Sequence, residues 1–205
     1  FEKNGNSLVL TSVDGELKVL MGIRDQIRPG VKEVLQKLKK LGVKNLVLLS
    51  GDNQPTVDLV AHELGLTEAH GRMLPEDKSA YIRELQVKGQ IVAFVGDGVN
   101  DSPSLALAQI GIAMGSGTDV AIETSDVVLM NSDLSRLPHA LGLTKATATN
   151  MRQNIIIAVG VVLFLLGSVF FSDWMNMSIG MFVHEGSILV VILNGMRLLR
   201  YRLEQ

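Results

Sequence analysis

The chain has 205 residues, which is enough for one ordinary domain with some chain left over or for two small units. Its 19 Lys and Arg against 21 Asp and Glu leave a net charge of −2, so it lacks the basic field that a nucleic-acid partner requires. The absence of cysteine excludes disulfides, thiolate metal sites and cysteine nucleophiles, so any metal must be held by oxygen or imidazole.

The first 23 residues predict a β-hairpin. Two alternating runs, residues 7–13 and 16–23, are separated by Asp14-Gly15, a dipeptide typical of two-residue hairpin turns. Phe1 is not an initiator methionine, and the chain opens directly on this strand pattern. We therefore expect the whole chain to be the last part of a longer protein.

After Pro29-Gly30 the pattern changes to alternating helices and strands. Helices are predicted over 31–41, 55–64, 75–87, from 103, over 119–124 and from 134, and strands over 46–49, 91–95, 110–113 and 127–130. Repeated alternation of this kind is typical of a parallel sheet covered by helices on both faces. The predicted fold class is therefore α/β.

Charge is almost absent from residues 155–196, where only two charged residues occur, Glu185 among them. Around Trp174 this stretch divides into apolar segments 155–171 and 175–196, each close to the ~20 residues that a membrane-spanning helix needs. Basic residues flank both outer ends and an aromatic residue lies at the turn. This pattern predicts a membrane hairpin with both ends in the cytoplasm rather than a buried soluble hairpin.

Polar loops follow two of the predicted strands. Residues 50–53, Ser-Gly-Asp-Asn, place a hydroxyl and backbone N–H groups at the start of a helix, which suits an anion. Residues 96–103, Gly-Asp-Gly-Val-Asn-Asp-Ser-Pro, hold Asp97 and Asp101, and paired carboxylates with phosphate and water suit Mg²⁺. Because ligands bind at the carboxyl ends of parallel strands, we expect both loops at one site.

Lys78 lies in the first turn of a predicted helix, where a cation opposes the helix dipole, so its position suggests a charge partner such as phosphate. Taken singly, each feature has an ordinary structural explanation: a turn capped by Asp52, a solvated Lys78, a helix capped by Asp101. Together, and in this order after successive strands, they predict a Mg²⁺-assisted phosphoryl-transfer site.

A glycine-rich segment, residues 111–120, also follows a predicted strand and superficially suggests a dinucleotide-binding loop. The pattern G-x-G-x-x-G fails, because Val120 stands where its last glycine is needed. We therefore predict no dinucleotide site.

Four motifs resemble those of the phosphorylation domain of P-type ATPases, within the haloacid dehalogenase-like fold. They are Ser-Gly-Asp-Asn at 50–53, Pro-Glu-Asp-Lys at 75–78, the run at 96–103, and Ile-Ala-Met-Gly-Ser-Gly-Thr-Asp-Val-Ala at 112–121. The resemblance covers essentially the whole chain and implies Mg²⁺ and ATP as cofactors. It implies three parts: the end of a nucleotide-binding domain (1–24), a phosphorylation domain (25–144), and two transmembrane helices with a cytoplasmic tail (145–205).

The resemblance also implies roles for individual residues. The residues implied to hold the phosphoryl group or to lie against it are Ser50, Gly51, Asp52, Lys78, Asn100 and Asp101. Mg²⁺ is implied at Asp97, with Asp101 beside it. Asp25 and Arg28 resemble the hinge between the nucleotide-binding and phosphorylation domains and are implied on the ATP side.

One departure from the family is the absence of an Asp-Lys-Thr-Gly-Thr segment, whose first Asp accepts the phosphoryl group. The covalent step needs that carboxylate. The family's sheet places the nucleophile strand centrally, so we expect a sheet that lacks a middle strand and has an exposed edge. The chain alone is then inactive. Two alternatives stay open: a membrane-anchored phosphatase of the same superfamily, and a non-catalytic remnant that binds Mg²⁺ and phosphate.

His184 and Glu185 lie about ten residues into the second apolar segment, where ionisable groups are costly and mark functional sites. Imidazole plus carboxylate suits divalent transition metals. Residues 184–188, His-Glu-Gly-Ser-Ile, resemble the last membrane helix of the His-Glu-Gly subgroup of heavy-metal P-type ATPases, with Ile188 where Thr is usual. The resemblance implies export of a divalent Co, Zn, Cd or Fe cation by a multi-pass protein embedded in lipid, in the bacterial plasma membrane, with residues 1–150 and the C-terminus cytoplasmic.

Overall fold

The computed structural model describes residues 7–23, 26–171 and 176–202. The chain forms two compact units, residues 1–137 and residues 138–205, and each is described by itself. The first contains all the strands of the described residues, and the second is helical.

The first unit opens with the predicted antiparallel hairpin, β1 (Ser7–Val13) and β2 (Glu16–Ile23). Asp14 and Gly15 at its turn have φ values of 52° and 78°, the left-handed conformations that a two-residue turn between twisted strands requires. Every residue of β2 and residues 9–13 of β1 are exposed, so these residues add nothing to the core of the unit.

The rest of the first unit alternates helices and strands, as predicted. In chain order these are α1 (Val31–Lys40), β3 (Val47–Leu49), α2 (Gln54–Leu64), β4 (Glu68–His70), α3 (Pro75–Val87), β5 (Ala93–Gly96), α4 (Ser102–Leu107), β6 (Ile110–Met114), α5 (Asp119–Glu123) and β7 (Val127–Leu129). The predicted elements end within two residues of these bounds, because proline and glycine mark them. Gly65, for example, is the left-handed cap of α2, and Pro75 opens α3.

The strand β4 is absent from the sequence-based prediction. Its three residues, Glu-Ala-His, form no apolar run and show no clear alternation. It forms because it pairs in parallel with β3, with Leu48 opposite Ala69. A strand this short depends on its pairing partner rather than on its own propensity.

The strands form two separate parallel sheets. β3 pairs with β4, and β5, β6 and β7 pair in that order. Within the described residues, no strand occupies the second edge of β3 or the second edge of β5. The predicted α/β class and the predicted absence of a middle strand are therefore both confirmed.

Small apolar clusters fix the helices on these sheets. Ile82 of α3 and Leu105 of α4 are each 1% exposed, and Ile112, Met114 and Leu129 form a second cluster between β6 and β7. Full burial of such side chains stabilises a fold by about 1.5–3 kcal/mol each. The clusters thereby hold the elements from which the polar loops extend.

The second unit is formed by α6 (Arg136–Phe171) and α7 (Met177–Met196), and a short 3₁₀ turn (Arg197–Arg200) follows. Both helices are long and apolar enough to cross a membrane. The first contains the predicted apolar segment 155–171, and the second contains residues 177–196 of the other. At ~1.5 Å per residue, a helix of α6's length reaches ~54 Å, well beyond the ~30 Å hydrocarbon layer. The predicted turn at Trp174 lies outside the described residues.

Three asparagines join α6 to α7 and are called the amide cluster below. The Asn150 side-chain amide donates to the Asn194 carbonyl at 2.7 Å, and the Asn194 side-chain amide donates to Asn154 Oδ1 at 2.9 Å. Asn154 donates in turn to Asn150 Oδ1 at 3.1 Å. Asn150 is only 7% exposed, so this polar contact is largely withdrawn from solvent.

Candidate phosphoryl-transfer site

The two polar loops identified in the sequence both stand at carboxyl ends of parallel strands. Ser50 directly follows β3, and Asp97 directly follows β5. Each of these two strands has an unpaired edge among the described residues. Both loops therefore stand beside a free strand edge.

The loop after β3 is closed by its own polar groups. The Ser50 hydroxyl donates to Asp52 Oδ2 at 2.7 Å, and the Asp52 backbone N–H donates to Ser50 Oγ at 3.2 Å. Asn53 caps α2, because its side-chain oxygen accepts from the Thr56 backbone N–H at 3.0 Å. Asp52 thus orients a hydroxyl, while the capping role belongs to Asn53.

The segment after β4 braces this loop through backbone contacts. The Ser50 N–H donates to the His70 carbonyl at 2.9 Å, and the Met73 N–H donates back to the Ser50 carbonyl at 3.0 Å. The Arg72 N–H donates to the Asp52 carbonyl at 2.6 Å. These contacts fix the position of the Ser50 loop relative to the chain that leads into α3.

The Gln54 side chain also connects α2 to residues 69–71, and its contacts with those above are called the brace below. Its side-chain oxygen accepts from the Gly71 N–H at 2.6 Å, and its amide donates to the Ala69 carbonyl at 3.1 Å. A Cβ on Gly71 would lie 2.8 Å from the Asp52 carbonyl oxygen, so only glycine fits there without a backbone shift. Sequence reasoning missed both residues, and the lone glycine before α3 was the available signal.

Lys78 forms an ion pair with Asp101. The Lys78 ammonium donates to Asp101 Oδ1 at 2.8 Å, and the two side chains are only 14% and 16% exposed. The charge partner expected for Lys78 is therefore present within the chain, as a carboxylate. Asp101 makes no capping hydrogen bond to α4, so the alternative explanation of this residue as a helix cap does not apply.

The carboxyl end of β5 offers oxygen donors of the kind that Mg²⁺ binds. The Asp97 carboxylate is exposed and makes no hydrogen bond to any described residue, and Lys78 bonds only one of the two Asp101 oxygens. Asn100 is also exposed beside them. Mg²⁺ takes one or two carboxylates together with phosphate and water, so this donor set fits the ion.

Close to residues 70–73, two side chains have shifted pKa values: the Tyr81 phenol and the Glu68 carboxyl. Burial, helped by a hydrogen bond to Glu68, raises the pKa of the Tyr81 phenol to about 12. Hydrogen bonds from His70 and Tyr81 lower the pKa of the Glu68 carboxyl. His70 links this pair to the loop after β3, because its side chain bonds Glu68 and its backbone carbonyl accepts from the Ser50 N–H.

The two residues expected on the ATP side are not brought into this site by a described contact. Asp25 lies outside the described residues. The Arg28 guanidinium donates to the Ser132 carbonyl at 3.5 Å. Their predicted roles toward ATP stay predictions.

His184 and Glu185 lie on exposed positions of α7. Among the described residues, no group of three or more His, Asp or Glu side chains could hold a metal ion together. Ser187 donates its hydroxyl to the His184 carbonyl at 2.6 Å, which occupies the hydroxyl within the helix. The second unit thus supplies two candidate metal ligands on a surface of α7 that α6 does not cover.

Comparison with known proteins matches both the sequence and the fold of this chain. A family model for haloacid dehalogenase-like hydrolases matches residues 2–109. The zinc-transporting ATPase of Bacillus subtilis is 39% identical over 97% of this chain, and the manganese-exporting P-type ATPase of Mycobacterium bovis is 43% identical over 96%. The chain spans 31% and 27% of their lengths.

A solved structure extends this likeness to the fold. The crystal structure of a zinc-transporting PIB-type ATPase in the E2.Pi state superimposes with a TM-score of 0.86 at 37% identity, covering 97% of this chain and 32% of that one. The match therefore includes the apolar helices as well as the α/β unit. The chain belongs to the haloacid dehalogenase-like hydrolase family and corresponds to a C-terminal portion of P-type ATPases.

Proposed function

We propose that this chain is the C-terminal part of an ATP-driven efflux pump for a divalent transition-metal cation of the Co, Zn, Cd and Fe class. The pump works through an aspartyl phosphate whose nucleophile lies upstream of residue 1. The observation that supports the proposal most is the ion pair between Lys78 and Asp101. It joins α3 to the loop of residues 96–103, called the carboxylate loop below. A strand inserted between the free edges of β3 and β5 would bring its own carboxyl end to both loops.

The phosphoryl group is held by the loop after β3. The Ser50 hydroxyl and the Gly51 backbone N–H bind phosphoryl oxygens at the N-terminus of α2, where the helix dipole favours an anion. Asp52 keeps that hydroxyl oriented, because it accepts the hydroxyl proton at 2.7 Å in the absence of phosphate. Rotation about the Cβ–Oγ bond of Ser50 then redirects the same proton to the substrate.

The opposite side of the phosphoryl group is bound by Lys78 and Asn100, and Asp97 and Asp101 would hold Mg²⁺. Bound Mg²⁺ neutralises charge on the phosphoryl oxygens. Asp101 bonds Lys78 with one oxygen and presents the other, so it positions the ammonium as well as the ion. Asp25 and Arg28 lie at the boundary with the nucleotide-binding domain, and we assign them to the ATP side of the same site.

The transported ion is bound by His184 and Glu185 on α7. Their exposed placement supports this role, because it leaves them available to ligands from helices outside this chain. The fit of the two helices to membrane spans supports assigning residues 145–205 to a membrane hairpin followed by a cytoplasmic tail. Residues 1–24 then end the nucleotide-binding domain, and residues 25–144 form the phosphorylation domain.

The proposal is tested with the full-length gene product, reconstituted in lipid. His184→Ala should abolish the stimulation of ATP hydrolysis by divalent transition metals, because the ion loses its imidazole ligand. His139→Ala is the matched control: His139 is also in the second unit, but its ring packs against Tyr201, and its loss should leave the stimulation intact. Metal stimulation that survives in His184→Ala would show that the His-Glu pair is structural.

The coding sequence upstream of Phe1 separates the proposal from its alternatives. An in-frame Asp-Lys-Thr-Gly-Thr segment supports the pump. An Asp-x-Asp segment in its place would support the membrane-anchored phosphatase. A stop codon close upstream would support a remnant that binds phosphate and Mg²⁺ without turnover.

A further inference from the structure

The glycine-rich segment, residues 111–120, has no role in the site as described so far. Its glycines are nevertheless forced by close backbone contacts, each with a different neighbour. A Cβ on Gly111 would lie 2.5 Å from the Leu105 carbonyl oxygen, and one on Gly115 would lie 2.7 Å from the Leu129 carbonyl oxygen. A Cβ on Gly117 would lie 2.8 Å from the carbonyl oxygen of Asp97 and 2.8 Å from that of Met114.

Gly117 is thus the member of this set that touches the carboxylate loop. Its missing Cβ would also lie 3.3 Å from the Cα of Asp97, so both the carbonyl oxygen and the Cα of Asp97 lie against Gly117. The next residue completes the contact, since the Thr118 N–H donates to the Asp97 carbonyl at 3.1 Å. The Gly117 N–H is itself held by the Met114 carbonyl at 2.8 Å, at the end of β6.

Thr118 is anchored from its other side by α5. Its hydroxyl oxygen accepts from the Ala121 N–H at 3.3 Å and so caps the helix, and Ala121 is fully buried. The Asp97 side chain, in contrast, is exposed and makes no hydrogen bond to any described residue. The contacts that locate Asp97 are therefore made by its backbone, and Gly117 and Thr118 supply two of them.

We propose that Gly117 and Thr118 are positioning residues for Asp97, which hold its carboxylate where it binds Mg²⁺. This inference rests on the proposed function, because it needs Asp97 to be a Mg²⁺ ligand. Under this inference, the glycine-rich segment has a structural role: it holds a ligand of the Mg²⁺ site in place. Partners of metal ligands matter for affinity, and their loss typically weakens metal binding by about 10–100-fold.

Three glycines in one segment give a matched experiment. Gly117→Ala and Gly111→Ala each place a methyl group against backbone, but only the first presses on Asp97. The full-length gene product is purified in detergent with a chelator selective for transition metals, and its melting temperature is followed while MgCl₂ is added. The concentration of Mg²⁺ that gives half of the stabilisation reports the affinity without any turnover.

We expect Gly117→Ala to raise the half-saturating Mg²⁺ concentration by about 10-fold or more. Gly111→Ala should lower the melting temperature in the absence of Mg²⁺ but leave the half-saturating concentration unchanged. Equal half-saturation in the two variants would overturn the inference. A wild-type protein whose melting temperature does not respond to Mg²⁺ would overturn the Mg²⁺ site itself, and with it the proposed function.

Two milder substitutions, both at Thr118, test the inference if Gly117→Ala does not fold. Thr118→Val keeps the shape of the side chain but removes the oxygen that caps α5, and Thr118→Ser restores it. We expect the Val variant to weaken Mg²⁺ binding and the Ser variant to bind like the wild type. If Val and Ser bind Mg²⁺ equally well, the α5 cap does not position Asp97.

Discussion

The two units of this chain differ in how they hold their functional residues. In the first unit the residues of the site are tied to one another: Ser50 to Asp52, Lys78 to Asp101, and both loops to backbone from other elements. In the second unit His184 and Glu185 stand on an exposed helix surface. Under the proposed function, the first unit offers a connected set of residues for the phosphoryl group, whereas the second offers two candidate metal ligands that other helices would complete.

This difference between the units follows from the partners that their backbone and side-chain groups need. In an α/β unit, backbone groups at strand ends must find partners, and the loops of this chain find them in each other. In a lipid environment the apolar side chains of a helix need no partner, so two helices can be joined by very few contacts. The amide cluster of Asn150, Asn154 and Asn194 is the polar contact that performs this task here.

The largest effect is expected at Lys78. Lys78→Ala removes a cation from the phosphoryl site and leaves the mostly buried Asp101 carboxylate unpaired. Loss of one such stabilising group typically costs a factor of about 100 or more in rate. We expect phosphoenzyme formation by the full-length protein to fall accordingly. Lys88→Ala, which breaks an exposed pair with Glu84, is the control and should leave the rate unchanged.

A smaller effect is expected from the brace around the Ser50 loop. Gln54→Ala leaves the Gly71 N–H and the Ala69 carbonyl without their partner, which should cost about 1–3 kcal/mol of stability. Gln86→Ala removes a comparable bond, to the Leu107 carbonyl, away from the site. Urea denaturation should show a loss for both, smaller for Gln86→Ala because it removes one bond instead of two, but only Gln54→Ala should also slow phosphoenzyme formation. Equal rates in the two variants would contradict a role for the brace in catalysis.

In the second unit, Asn150→Ala should weaken the amide cluster by about 1 kcal/mol. The measurement is the midpoint of unfolding in a detergent titration. Thr149→Ala, which removes a hydroxyl bonded within α6, is the matched control and should have a smaller effect. If phosphoenzyme formation fell as steeply in Asn150→Ala as in Lys78→Ala, the contrast between the two units would be wrong.

The smallest effect is confined to alkaline pH. The pKa of Tyr81 is raised from its usual 10 to about 12, so ionisation is harder in the folded protein than in the unfolded one. The associated stability is complete below pH 10 and is lost as pH rises from 10 toward 12. Tyr81→Phe should remove this loss, as measured by urea denaturation at pH 8 and pH 11. An unchanged difference between the two pH values would contradict the assignment.

Much of the first unit could be predicted from sequence because local signals mark it. Prolines and glycines delimit its helices, and polar loops follow its apolar strands. β4 could not be predicted, since its three residues form a strand only by pairing with β3. The charge partner of Lys78 was equally hidden, because Asp101 lies 23 residues away along the chain.

The contacts of the brace and of the glycine-rich segment also could not be predicted from sequence. Residues 70–73 carry no motif, yet their backbone groups hold Ser50 and Asp52. The segment 111–120 fails as a dinucleotide loop, but sequence could not show that Gly117 lies against Asp97. Contacts between backbone atoms of distant residues leave little trace in a single sequence beyond the presence of a glycine.

The central claim is that this chain supplies every part of the phosphoryl-transfer site except the nucleophile. The direct test incubates two purified proteins with radiolabelled ATP and Mg²⁺: the 205-residue chain, and the product of the same gene with its upstream coding sequence. We predict an acid-stable, hydroxylamine-sensitive phosphoenzyme on the longer protein and none on the 205-residue chain. A phosphoenzyme on the 205-residue chain alone would contradict the account.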